Sequence, residues 1–147
     1  MEIQIATLCD SAADYHGRLS LLGAFDTILA AKLPVVHPQC AIALRIVFRK
    51  EEEGQQKVRV NFVDEDGRSI VQPIEGAIQI AWPGDAVFAT RNLVFNLQQL
   101  PFEKAGFYSI DVSIGGRQLA SIPLHVQQFQ PPSQAQQPAQ PGRPSAH

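Results

Sequence analysis

Cys40-Ala-Ile-Ala-Leu-Arg-Ile-Val-Phe-Arg49, followed after a charged stretch by Lys57-Val-Arg-Val-Asn-Phe-Val-Asp64, decides the fold. In the first segment Ile42, Leu44, Ile46 and Phe48 share one face, with Arg45 and Arg49 on the other. In the second, Val58, Val60 and Phe62 point one way and Lys57, Arg59 and Asn61 the other. Side chains of a strand alternate across its plane, so a period of two marks antiparallel strands buried on one face and wet on the other.

The stretch between them, Lys50 to Gln56, is rich in charge and glutamine and predicts a hairpin. With the turn near Glu53, Phe48 faces Val58, Ile46 faces Val60 and Leu44 faces Phe62, which keeps all six apolar residues on one side. That register sets Arg49 opposite Lys57 and leaves Arg45 and Arg59 on the same outer face. Arg45, Arg49, Lys57 and Arg59 are therefore the candidate partner-binding residues, a basic stripe that an acidic protein surface would complement. The competing reading is an ordinary solvated outer face.

Outward from this pair the same alternation recurs. Ile3, Ile5 and Thr7 alternate as a strand. Ile74 to Trp82 sets Ile78, Ile80 and Trp82 inward, and Val87 to Leu97 sets Leu93, Phe95 and Leu97 on one face. Phe107 to Ile114 sets Tyr108, Ile110, Val112 and Ile114 inward, and Gly115-Gly116 is a two-residue turn into Arg117 to Val126. Pro123 inside that last run predicts an edge strand or a bulge. Arg18 to Lys32 fits either a helical stripe or a strand interrupted at Gly23; Gly23 and Thr27 favour the strand. Gly106-Phe-Tyr108 before a clean strand is the signature of a tyrosine corner, the alternative being a plain core aromatic. These segments predict an all-β fold, an antiparallel β-sandwich of seven to eight strands, immunoglobulin-like or similar, over residues 1–128.

From 129 to 147 the sequence is rich in proline and glutamine, and after Phe129 it has no Leu, Ile, Val or Phe. Such a stretch cannot offset the entropy of ordering and is expected to be a disordered tail. The 147 residues suit one domain that needs no disulfide or metal to fold. A net charge of −2 gives no general pull on nucleic acid or anionic membrane, so neither is expected as a partner. No apolar run approaches the roughly 20 residues of a membrane helix. With no export signal at Met1 to Asp10, Cys9 and Cys40 read as reduced core residues of a cytoplasmic protein.

Four pieces, Leu8-Cys-Asp-Ser11, Leu22-Gly-Ala-Phe-Asp26, Val63-Asp-Glu-Asp-Gly67 and Gly106-Phe-Tyr-Ser-Ile-Asp111 with the Gly116-Arg-Gln118 turn, resemble an uncharacterised bacterial family of small β-sandwich proteins. The resemblance implies the fold and a strand over Arg18 to Ile28, and it implies no activity.

The chain carries no nucleophile elbow, phosphate loop or H-E-x-x-H motif. His37 and Cys40, with Cys9, give one close pair where zinc needs four ligands. Asp64-Glu65-Asp66-Gly67, with Asp10 and Asp14, could offer oxygens to calcium, but an acidic turn ending in glycine is also ordinary hairpin chemistry. No metal and no cofactor is expected. The sequence therefore predicts a non-catalytic β-sandwich module, either protein-binding, with another protein as its partner, or structural. The alternatives are a small enzyme or metal-dependent binder using loop carboxylates, and sugar binding on Tyr15, Trp82 and Tyr108.

Overall fold

The computed structural model describes residues 1–130. The tail predicted from 129 onward lies, beyond Gln130, outside the described residues. Nine strands form two sheets: β1 (Glu2–Tyr15), β2 (Arg18–Phe25), β3 (Thr27–Ala30), β4 (Val35–Phe48), β5 (Gly54–Val63), β6 (Ile74–Ile80), β7 (Ala89–Phe102), β8 (Gly106–Ile114) and β9 (Arg117–Gln128). The first sheet has the order β2-β1-β4-β7 and the second β3-β9-β8-β5-β6. Every pairing is antiparallel except β3 with β9.

The predicted hairpin is absent: β4 and β5 lie in different sheets. β4 pairs with β1 and β7, and β5 pairs with β6 and β8. Between them the chain makes one 3₁₀ turn at Lys50–Glu52 and passes Gly54 at φ +113°, crossing from one layer to the other. Alternation fixes which face of a strand is apolar, and it is the same whether two strands lie side by side or face each other across a core. Ile42, Leu44, Ile46 and Phe48 line the first sheet's inner face, and Val58, Val60 and Phe62 the second's. Ile42, Leu44, Ile46, Phe48, Val60, Phe62, Ile80, Ile110 and Val112, each set inward by the alternation, are buried, and so is Leu124 of β9.

Arg18 to Lys32 is strand, broken at Asp26 where the chain changes sheets. Beyond the break Ile28 and Ala30 turn inward and Leu29 is exposed. Gly23 sits at φ +68°, and a Cβ there would collide with the Asp10 carboxylate. Pro123 lies where β9 pairs with β8 alone, because β3 joins β9 only from His125 onward. A residue without an N–H fits a position with one free side.

The β1–β2 hairpin leaves the plane of its sheet. Pairing of β1 with β4 stops at Cys9–Ala41, while the hairpin runs on to its Tyr15–Arg18 end. Beyond Cys9 it folds over the outer face of the sheet. There Cys9, Ala41 and Ala43 are fully buried beneath Ala12, Leu19 and Leu21, with Val94 beside them. Alanines at 41 and 43 leave room for a second layer where larger side chains would hold it off.

Candidate functional site

The sandwich sorts the four candidate basic residues onto different surfaces. Arg45 stands on the outer face of the first sheet, beneath the hairpin tip. Its Nε donates to Gln4 Oε1 at 2.9 Å, and one terminal nitrogen donates to the Gly17 carbonyl at 3.2 Å and to Asn92 Oδ1 at 2.8 Å. The Asn92 amide in turn donates to the Gly17 carbonyl at 3.1 Å and to Asp14 Oδ1 at 3.3 Å. Asp14 Oδ1 also accepts the Gly17 N–H, closing the tip. Arg45 is thus the centre of a clasp that holds the hairpin down. Nothing in the alternation around Arg45 signals this, since Gln4, Asp14 and Asn92 come from distant strands.

Arg49 sits exposed at the start of the crossing, where its backbone N–H donates to Glu52 Oε2. The Met1 amino group pairs with the same Glu52 carboxylate. Lys57 and Arg59 lie on the outer face of the second sheet, opposite Ala77 and Glu75 of β6. Arg59 Nε is 3.4 Å from Glu75 Oε1, an exposed pair that water screens. Lys57 makes no ion pair among the described residues. The two cations line an open groove of about 390 Å³ together with Val58, Glu75, Gly76, Ser113 and Gly116. Of the predicted stripe, only Lys57 and Arg59 share a surface; Arg45 is on the opposite side of the molecule.

Asp64 Oδ1 accepts the N–H groups of Arg68 and Asp66, both at 2.9 Å, and these bonds, that of Arg68 above all, hold its carboxyl below the usual range. Glu65 Oε1 accepts the Phe107 N–H at 2.7 Å and joins the acidic turn to the start of β8. No group of three or more His, Cys, Asp or Glu is placed to hold a metal among the described residues. Burial pushes the Cys9 thiol up, and pushes Cys40 up to about 11. Cys9 faces the outer cluster and Cys40 the core, and the ring of His37 packs against Phe25. Tyr108 is buried edge-on against Phe102, and its hydroxyl donates to the Lys104 carbonyl at 2.6 Å. That is the tyrosine corner. It removes Tyr108 from any sugar platform: Tyr15 is exposed at the hairpin tip, and Trp82 is half-buried with Nε1 bonded to the Ala86 carbonyl.

A family model of unknown function, DUF6941, matches residues 4–127. The chain belongs to the DUF6941 family. The match runs through every strand, so the clasp and the Lys57–Arg59 groove both lie within the DUF6941 region. No curated protein matches the sequence. No helix among the described residues of this DUF6941 chain is long and apolar enough to cross a membrane.

Proposed function

We propose that this DUF6941 chain is a non-catalytic protein-binding module, and that the outer face of its second sheet takes an acidic segment of another protein at Lys57 and Arg59. The observation that carries this reading is the open groove between these two exposed cations, where, among the described residues, Lys57 makes no ion pair and Arg59 meets only a solvated glutamate. Complementary charge at such a rim steers association and sets specificity. The first sheet offers less, because its outer face is roofed by its own hairpin. The Tyr108 corner favours an immunoglobulin-like sandwich, and two buried free thiols suit a reducing, cytoplasmic setting.

The test is fluorescence anisotropy with a labelled glutamate-rich peptide. Binding should be salt-sensitive and should fall about tenfold in K57E/R59E, a loss of about 1.4 kcal/mol. Binding that is absent, or equal in K57E/R59E and the parent at low salt, would remove the reading.

A further inference from the structure

A sheet ends in two edges, and unpaired edges recruit other strands unless something guards them. Three of the four edges here are guarded. β2 is kinked at Gly23 and belongs to the folded-over hairpin. β3 has four residues, with Lys32 and Pro34 just beyond it. β6 has seven residues, between Pro73 and Pro83, and carries Glu75. The fourth, β7, is a 14-residue strand that among the described residues pairs only with β4, in unbroken register. Its one charged residue is Arg91, whose guanidinium turns back to the carbonyls of Thr90 and Ala81. Its irregular residues, Gln99 at φ +55° and Pro101, are confined to its far end.

Immediately before β7 stand Val87 and Phe88, 82% and 59% exposed, Val87 the most exposed large apolar residue among those described. Within β7, Leu93 and Phe95 on the inner face and Val94 on the outer are only half-buried. The sequence is self-complementary when two copies run antiparallel about Val94. Leu93 then faces Phe95 of the second copy, Asn92 faces Asn96, Thr90 faces Gln98 and Val94 faces itself. In the same register Val87 and Phe88 fall alongside Pro101 and Leu100 of the second copy. A two-fold about Leu93 would instead set Asn92 against Val94 at the centre of the outer face; the Val94 register keeps that centre like-on-like and leaves Arg91 facing Leu97. Like-on-like pairing on each face is what selects a register.

We propose that β7 is a homodimerisation edge: two copies join β7 to β7 about a two-fold at Val94, making one continuous sheet and covering Val87 and Phe88. A paired edge of this length is a small interface, so the dimer forms with a dissociation constant on the order of micromolar. The proposal is independent of the Lys57–Arg59 groove.

The experiment is light scattering after size exclusion, with sedimentation equilibrium from about 1 to 200 µM to span that affinity. The full chain should approach twice its 16.1 kDa as concentration rises. V94K places like charges at the axis, and V87S/F88S removes two exposed apolar side chains. Both should shift the equilibrium to monomer by tenfold or more while keeping the parent's circular dichroism. Oxidation of V94C should give a disulfide-linked dimer, and T90C should not. A monomer throughout the range would overturn the proposal. So would a dimer that V87S/F88S leaves intact and V94C does not cross-link.

Discussion

Tyr108 shows how one side chain fixes a loop. Its hydroxyl reaches back four residues to the Lys104 carbonyl while its ring stays in the core against Phe102. Tyr108→Phe keeps the ring and loses only the bond, so unfolding by denaturant should show a loss of about 1 kcal/mol. Asp64 acts through its charge. Backbone N–H groups hold its folded pKa below the unfolded value, so its contribution is present above the carboxylate range and lost as pH falls through the folded pKa. Asp64→Asn should flatten the acid limb of a plot of melting temperature against pH; an unchanged limb would deny the carboxylate that role. Tyr108 was legible in the sequence because its bond partner is local. Arg45 was not, because its partners Gln4, Gly17 and Asn92 lie 41, 28 and 47 positions away, and only the fold brings them together.

At the scale of elements, alternation marks the strands because burial of one face is a property of each strand alone. Pairing depends on the partner, and the Lys50 to Gln56 stretch reads equally as a hairpin turn or a crossing between layers. The core residues follow from the first kind of information. Ile46 and Phe62 are fully buried, so Ile46→Ala or Phe62→Ala should cost roughly 2–5 kcal/mol in denaturant unfolding. The hairpin roof follows from the second kind. Its hold on the first sheet rests on the Arg45–Asn92–Asp14 clasp and on packing over Cys9, Ala41 and Ala43. Arg45→Ala should speed hydrogen exchange across Ser11 to Leu22 by about tenfold and leave β8 unchanged, since local opening is governed by local contacts. Uniform exchange across both segments would place the hairpin's stability elsewhere.

For the whole molecule, the functional reading rests on Arg45 and Arg59 occupying opposite outer faces of a two-layer sandwich. One face is closed by the chain's own hairpin, and the other stays open around Lys57 and Arg59. The small core-facing alphabet of both strands concealed this arrangement in the sequence. The most direct measurement is a nitroxide distance in V47C/R59C, where buried Cys9 and Cys40 resist labelling. A β4–β5 hairpin turning near Glu53 would set these positions directly opposite, with Cβ atoms about 5 Å apart. On opposite outer faces, with about 10 Å between the sheets and a label projecting from each, the separation should exceed roughly 20 Å. A distance below about 10 Å would place both strands in one sheet and restore the single basic stripe.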